Sequence, residues 1–525
     1  MRAMMQRIAA AAAVACVTCA AMLIGCGSSR VRSANSVTTV SHLPGPPAIA
    51  SSTQVASEHG RDGDWTRFNY DAVRSGVGPT ATGITAQNAG TLQTRVVRID
   101  GTADSSPIEL HDVRVAGSAR DAIVVTTSYG HTIAIDPASG SILWEFRPPG
   151  TARLEGTSRV TTASPVADPE RRHIYVASPD GFIHKLELAS GREVRQDHWP
   201  ARVTRNAKTE KIGGALNLSG NQLLAVIGGY EENTPNAQSY QGHVVSIDHG
   251  SGRILQVFNA LCSDHRALLV PRSCHANDAG IWARSGVVVE PGSGRLLVAT
   301  GNGHFNGSTR WGDSVLELSP DASRVLHNWT PGNQAQLDRT DFDIGSTAPA
   351  VLPVTQGRHL AVQGGKDGVL RLLDLDRLNG SSGGAGPRTS GELQAISTLG
   401  GGLMFTAPAV WTQSGHIYVF VGDEDGIAGY TLVEGRVPQL AQIWSSPTKS
   451  TSPIIAGGLL YAFDLPNRTL DIRVPTTGKL IRSLPAAIGH WNSPIAIGGR
   501  VVLPVGDYQK HLTEGVIYIY HLPGR

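Results

Sequence analysis

Hydrophobic and polar positions alternate with a period of two along short stretches of the chain, from about residue 65 to residue 520. In the clearest copy, residues 129–144, an alternating strand ends at Asp136, a Ser-Gly turn follows at Gly140, and a second strand closes on Trp144. The Asp accepts hydrogen bonds from the turn backbone, and Gly tolerates the positive φ of a tight turn. Each such stretch therefore predicts a β-hairpin with one buried face.

This unit recurs along the chain. Further copies lie at residues 181–191 and 242–252, and weaker ones at residues 313–321 and 368–374. A short apolar strand that opens with Ser-Pro or Ala-Pro precedes most units, with its proline at Pro107, Pro165, Pro349, Pro408, Pro453 and Pro494. Two strands without proline, at residues 215–218 and 285–289, bring the total to eight. The repeat predicts an all-β, eight-bladed β-propeller.

Composition agrees with many short strands and tight turns. The chain has 61 Gly and 30 Pro, and only 17% of its residues are charged. The formal net charge is +2, with acidic and basic residues interspersed, so no basic stripe indicates a nucleic-acid partner.

The N-terminus predicts export. Arginines precede an apolar run that ends in Leu23-Ile24-Gly25-Cys26, which resembles the bacterial lipobox. This predicts a lipoprotein signal over residues 1–25, lipidation of Cys26, a flexible Ser- and Pro-rich tether over residues 26–61, and the propeller over residues 62–525. We expect attachment to a membrane through the lipid, at the periplasmic or surface face of the outer membrane if the cell has one. The alternative is an ordinary signal with Cys26 incidental.

The mature chain has two further cysteines, Cys262 and Cys274. In an oxidising compartment, a pair this close in sequence predicts a disulfide. Metal ligation with His265 and His275 is the alternative, but it lacks a second closely spaced cysteine pair.

The Asp-x-x-Ser-Gly-x-x-x-Trp units resemble the repeats of the pyrroloquinoline-quinone (PQQ) propellers. That superfamily holds quinoprotein alcohol dehydrogenases and non-catalytic relatives such as the lipoprotein of the outer-membrane barrel-assembly machine. The opening Asp64-Trp65 segment is similar to the start of the dehydrogenases. The resemblance implies that residues 92–99 complete the last blade near residues 516–520 and close the ring.

In the dehydrogenases, a calcium or lanthanide ion and the quinone lie on the propeller axis. The resemblance suggests counterparts in this chain: metal ligands at Glu231, Asn302 and Asp343, a general base at Asp341, and quinone contacts at Lys366 and Trp282. Carboxylate and amide oxygens suit hard cations. Alternatively, the same residues serve only as turn formers or backbone caps.

The chain also departs from the dehydrogenase pattern. The adjacent Cys-Cys pair is absent, no Trp precedes Asp341, and a long polar loop follows Glu231. Trp282 lies about two residues further from Pro291 than the family spacing implies.

The sequence alone therefore favours a binding or scaffold protein without cofactor, with protein partners on the propeller face. Aromatic residues on the inserted loops are the anchors we expect for such partners: Tyr230, Tyr240, Phe305 and Trp311. The alternative is a PQQ-dependent alcohol or sugar dehydrogenase. A hydrolase is disfavoured because no Gly-x-Ser-x-Gly motif stands where the fold would need one.

Overall fold

The computed structural model describes residues 63–230, 240–274 and 277–524. Eight antiparallel sheets form the blades of a propeller, numbered here in chain order from the innermost strand of each. The first strand, β1 (Gln93–Asp100), belongs to blade 8. Blades 1 and 2 contain β2 (Ile108–Val115), β3 (Ser118–Thr126), β4 (Thr132–Ile135), β5 (Ile142–Phe146), β6 (Val166–Ala167), β7 (His173–Ala177), β8 (Phe182–Glu187) and β9 (Ala201–Arg202).

Blade 3 has five strands, and blades 4 and 5 have four each. Their elements are β10 (Glu210–Ile212), β11 (Asn217–Ser219), β12 (Gln222–Gly229), β13 (His243–Asp248), β14 (Ile254–Asn259), β15 (Val288–Val289), β16 (Leu296–Ala299), β17 (Val315–Leu318), β18 (Val325–Trp329), helix α1 (Gln334–Thr340), β19 (Ala350–Val351), β20 (Leu360–Gln363), β21 (Val369–Asp374) and β22 (Gln394–Ser397).

The last three blades begin at β23, β27 and β31. Their strands are β23 (Ala409–Gln413), β24 (His416–Gly422), β25 (Ile427–Val433), β26 (Gln439–Ser446), β27 (Ile454–Ala456), β28 (Leu459–Asp464), β29 (Thr469–Arg473), β30 (Leu480–Pro485), β31 (Ile495–Ile497), β32 (Arg500–Val505) and β33 (Glu514–His521). Short 3₁₀ turns lie at Ala89–Thr91, Ala152–Leu154, Pro271–Cys274, Leu375–Arg377, Leu399–Gly401 and Tyr508–Lys510.

The ring closes between the two ends of the described chain. Strand β1 pairs antiparallel with β33, from Gln93 opposite His521 to Asp100 opposite Glu514. Blade 8 is therefore built from both ends of the sequence, and the predicted eight-bladed architecture and its closure are confirmed. Closure in this way joins the two ends of the propeller in one sheet, with β1 as the outermost strand of blade 8.

The repeat motif joins a blade to the next at two clear places. The Trp144 indole donates to the carbonyl of Leu188 at 2.8 Å and packs on Gly191, where a Cβ would lie 2.5 Å from the ring. Trp444 repeats the arrangement, with Pro475 as acceptor and Gly478 beneath the ring. Both glycines also have positive φ. The turn glycine and the tryptophan recur together because each supplies one side of an interblade contact.

The segment at residues 65–78 closes one end of the axial channel, here called the lower face. Its backbone hydrogen-bonds to the innermost strands of blades 1, 2, 4, 6 and 7. The buried guanidinium of Arg74 donates to the carbonyls of Phe68, Leu216 and Ser285. Burial, with the nearby charge of Arg67, lowers the pKa of Arg74 to about 9. The connections between successive blades lie at the opposite, upper face, where the chemistry is concentrated.

No helix in the described ranges has both the length and the apolar character needed to cross a membrane. The predicted signal, tether and Cys26 lie outside the described residues, so those predictions remain untested.

Candidate functional site

Asn302 is held at the upper face by the backbone around it. It lies in the loop between β16 and β17, and its carbonyl accepts from the amide of Ala279 at 2.5 Å. Its side-chain Nδ2 donates to Asp341 Oδ1 at 2.7 Å, whereas its buried Oδ1 has no hydrogen-bond partner. A buried amide oxygen without a partner is unusual, because leaving such an acceptor unsatisfied costs about 1–3 kcal/mol.

Asp341 ends helix α1 in a left-handed conformation, with φ +57°, and its amide donates to the carbonyl of Leu337. The side chain is 53% exposed at the channel mouth. Its Oδ1 accepts from both Asn302 and Lys366, which come from neighbouring blades. The connection between blades 4 and 5 thus brings this carboxylate to the site.

Lys366 lies in the turn between β20 and β21, and its amide donates to the carbonyl of Asp343 at 2.9 Å. Its Nζ lies 3.1 Å from Asp341 and 2.6 Å from Asp343. Burial alone would lower the pKa of Lys366, but the carboxylates of Asp343 and Asp341 raise it above its usual range. Burial raises the pKa of Asp343 although Lys366 opposes the change, and Asp343 Oδ1 has no partner.

A third carboxylate, Asp313, belongs to the same cluster. It is fully buried, and its Oδ2 accepts from Gln334 at 3.3 Å while its Oδ1 has no partner. Burial, reinforced by the charges of Asp343 and Asp338, raises the pKa of Asp313 to about 8. The sequence motifs did not predict Asp313 as a site residue. Asp313 opens one of the weaker repeat copies, and a carboxylate preceding a buried strand was the available signal.

Trp282 is partly buried beside the cluster. Three glycines contact its ring, and a Cβ at Gly228, Gly280 or Gly301 would lie within 2.7 Å of it. The ring of Tyr240 approaches edge-on, with centroids 5.3 Å apart and planes at 69°. The sequence-predicted Asn302, Asp341, Asp343, Lys366 and Trp282 are therefore neighbours, while Glu231 lies outside the described residues.

Arg284 lies two residues after Trp282, at the spacing from Pro291 where the family resemblance places the stacking Trp. Its guanidinium forms an ion pair with Asp104 at 2.7 Å, and His490 contacts the other oxygen of Asp104 at 2.8 Å. These residues precede the first strands of blades 4, 1 and 8. Because blades 4 and 1 are not neighbours, the ion pair spans the axial channel.

Cys262 and Cys274 form a disulfide, which confirms that prediction. The alternative metal site at these cysteines is excluded because their sulfurs are bonded to each other. The disulfide loop packs on the loop that carries Asn302, with the indole of Trp311 donating to Ser263 Oγ at 3.0 Å.

Comparison with known proteins places these features in a family context. The family model described as outer membrane protein assembly factor BamB matches residues 109–287. A quinohemoprotein alcohol dehydrogenase, ADH IIB, from Pseudomonas putida is 24% identical over 286 residues, half of this chain. The match spans only 39% of that relative's length.

Solved structures agree over most of the described chain. A quinohemoprotein alcohol dehydrogenase from Comamonas testosteroni superposes with a TM-score of 0.64 at 15% identity, covering 89% of this chain and 82% of its own. A europium-containing methanol dehydrogenase gives 0.65 at 15% identity, covering 90% and 100%. The chain has the eight-bladed β-propeller fold of these dehydrogenases. At such identities the structures establish the fold and leave activity open.

The clustered residues of this propeller fit a hard cation. Three oxygens are buried without hydrogen-bond partners, on Asn302, Asp343 and Asp313. The Lys366 ammonium pairs with two carboxylates, Asp341 and Asp343, and Asp313 adds a third negative group beside Asp343. Oxygen donors with excess negative charge are what calcium and lanthanide ions require. Within the described ranges, no three His, Cys, Asp or Glu side chains alone form a metal-binding group, so the donor set depends on the Asn302 amide.

The aromatic residues expected to anchor protein partners are mostly inaccessible in the propeller. Tyr230, Tyr240 and Trp311 are buried, and only Phe305 is partly exposed. The expectation that these four rings present an exposed interface is therefore wrong for three of them. Tyr230 packs with Tyr129 and Leu154, Tyr240 packs against Trp282, and Trp311 bonds to Ser263 of the disulfide loop.

Proposed function

We propose that the protein is a PQQ-dependent dehydrogenase that oxidises alcohols or sugars at the upper mouth of the propeller. The observation that carries this proposal is the convergence of Asn302 and Lys366, from different blades, on one oxygen of Asp341. The names of the dehydrogenase relatives agree with it. The chain aligns with only 39% of the length of its curated relative, so the activity remains our proposal.

The residues divide naturally by role. Asn302 Oδ1 and the carboxylate of Asp343 would hold the cation, and Lys366 would donate to a quinone oxygen. When bound, the quinone supplies the electron acceptor and the cation polarises its carbonyl. Asp341 is the exposed carboxylate of the cluster, so it is placed to take the proton of a substrate hydroxyl.

A binding or scaffold protein, which the sequence alone favours, is the second candidate. Two observations support it: Arg284 occupies the spacing of the family's stacking Trp, and Tyr240 packs edge-on against Trp282. Loss of a stacking face removes a large apolar contact to a flat cofactor. In that case the upper face would bind a protein partner instead.

Reconstitution distinguishes the two candidates. Purified protein is mixed with PQQ and either calcium or a lanthanide, and dye reduction is followed with alcohols and sugars as substrates. We expect turnover that Asp341→Asn abolishes while cofactor binding persists. Asp376→Asn, which alters a half-exposed carboxylate paired with His359 at the lower end of blade 5, is the matched control. Absence of both cofactor binding and turnover in the wild type would favour the scaffold.

We further propose that the protein is exported and anchored to a membrane through lipidated Cys26. The support is the lipobox-like Leu23-Ile24-Gly25-Cys26 alone. Changing Cys26 to Ala should release a folded propeller into the soluble fraction. Retention of the variant in salt-washed membranes would refute the anchor.

A further inference from the structure

The upper mouth of the channel is divided into two halves. Over blades 1–3 and 8 it is covered by a small apolar cluster of Tyr129, Leu154, Val160 and Tyr230, against which Tyr508 packs. The Lys211 ammonium lies 4.1 Å from the centroid of the Tyr508 ring, which joins blade 3 to blade 8 across the axis. The candidate site lies in the other half, with its residues on blades 4 and 5 and the connection between them.

An aromatic wall, defined here as Phe405, Trp491 and His490, lies beside the candidate site; Phe405 and His490 are partly exposed, and Trp491 is buried. The rings of Phe405 and Trp491 are 5.3 Å apart, and those of Trp491 and His490 are 5.6 Å apart. These residues belong to the connections that lead into blades 6 and 8.

Backbone contacts join the aromatic wall to the polar cluster. The amide of Met404 donates to the carbonyl of Gly365 at 3.2 Å, so Phe405 follows the residue that contacts the Lys366 turn. At its other end, His490 bonds to Asp104, which pairs with Arg284. The contacts therefore run from Lys366 along the wall and back through Arg284 to the Trp282 segment.

The two sides of this half-mouth differ in chemistry. On one side, Asp341 and Lys366 offer polar atoms to a ligand. On the wall, the polar groups are already engaged: both oxygens of Asp104 are bonded, and Lys449 lies 4.8 Å over the Trp491 ring while pairing with Glu424. The ring of Phe342, next to Asp341, is 40% exposed.

We propose that this half-mouth selects an alcohol whose body is aromatic or apolar, and that it disfavours sugars. The hydroxyl would bind at Asp341 while the body packs on the partly exposed rings of the wall, Phe405 and His490. A sugar ring would bring several further hydroxyls against a surface with few polar partners, and each buried without one is costly. The inference rests on the proposed function for the role of Asp341, and it narrows the substrate class that function leaves open.

Binding can be measured separately from turnover. Saturation-transfer NMR and calorimetry would compare benzyl alcohol with glucose, using protein alone and protein loaded with PQQ and calcium. We expect benzyl alcohol to bind at least about tenfold more tightly, a difference of about 1.4 kcal/mol. Phe405→Ala should weaken benzyl alcohol binding by about tenfold. Tyr418→Ala, which removes a partly exposed ring from β24 of blade 6, should not.

The outcomes separate the two proposals. If benzyl alcohol binds in a Phe405-dependent manner but no alcohol is oxidised, the proposed role of the aromatic wall is supported and the proposed dehydrogenase activity is refuted. If glucose binds as tightly as benzyl alcohol, or is the better substrate, the proposed preference for apolar alcohols is refuted while the proposed dehydrogenase activity is not. Phe405→Leu, which keeps apolar bulk without the ring, guards against misfolding of the Ala variant and should also weaken benzyl alcohol binding.

Discussion

Two buried acidic clusters lie at the same channel mouth and are built on opposite principles. Asp104 has a partner for each carboxylate oxygen, Arg284 on one and His490 on the other. In the second cluster, Asp313 and Asp343 each keep one buried oxygen without a partner. In the first cluster both carboxylate oxygens of Asp104 are satisfied, so we call it complete. In the second cluster one oxygen of each buried carboxylate is unsatisfied, so we call it incomplete.

The pKa values follow this difference. Burial would raise the pKa of Asp104, but Arg284 and His490 outweigh it and lower the value to about 2. For Asp313, burial and the charge of Asp343 act together and raise the pKa to about 8. Equally buried carboxylates thus differ widely in acidity because only one has cations beside it.

We infer that the two clusters serve different purposes. A complete ion pair across the channel stabilises the relative positions of blades 1 and 4. An incomplete cluster costs stability in isolation, and strongly shifted pKa values of this kind concentrate at functional sites. The incomplete cluster is also the one that contains Asn302, Asp341 and Lys366.

The largest expected effect is on the complete cluster. Arg284→Met keeps most of the apolar stem but removes the cation, leaving Asp104 buried with His490 alone. Breaking a buried pair by removing one partner typically costs about 3–5 kcal/mol of unfolding free energy, and we expect a loss in that range. Urea unfolding at pH 7 measures it.

The double variant Asp104→Asn/Arg284→Met should recover part of the loss, because no uncompensated charge remains. Arg192→Met, at a largely exposed pair with Glu187, is the control and should change little. If Arg284→Met lowers the free energy of unfolding no more than the control does, the ion pair across the channel does not stabilise the propeller.

The fold was predictable because its signal is repeated. Copies of one local motif, complete in residues 129–144 and partial elsewhere, recur along the chain, and the contact between Trp144 and Gly191 joins adjacent blades through that motif. Closure by β1 was also predictable, since a ring must pair its ends.

The site was only partly predictable. Asn302, Asp341 and Lys366 stand in short motifs, so a family resemblance could suggest them. Arg284 and Asp104 are 180 residues apart, and nothing local in either segment indicates that they meet. Likewise, whether the ring of Trp311 is exposed or buried depends on how two inserted loops pack, which no periodicity records.

Adding a cation tests the incompleteness of the second cluster. At about a hundred times its dissociation constant, a bound ion stabilises the folded state by about 2.7 kcal/mol. We expect calcium or a lanthanide to raise the melting temperature at pH 8 and to have much less effect at pH 5, where protons compete for the carboxylates. Calorimetry at both pH values measures the difference.

Asn302→Ala should abolish most of this stabilisation, because it removes the unpartnered amide oxygen. Asn221→Ala, at an exposed turn, should retain it. A cation effect of the same size in both variants would mean that the ion binds elsewhere.

The smallest expected effect concerns Asp313 in the cation-free protein. Its folded-state pKa, about 8, is above the ordinary value of 3.8, so between about pH 4 and pH 8 the unfolded chain releases a proton that the folded state keeps. Unfolding therefore becomes more favourable as pH rises through this window. Asp313→Asn should remove this contribution and stabilise the protein by about 1–2 kcal/mol at pH 8, with little gain at pH 4. Some pH dependence should persist, since burial also raises the pKa of Glu109 to about 7 despite its pairing with Arg500. Urea titrations from pH 4 to pH 8 would show a shallower decline for the variant, and parallel curves for variant and wild type would mean that Asp313 is already ionised without a cation.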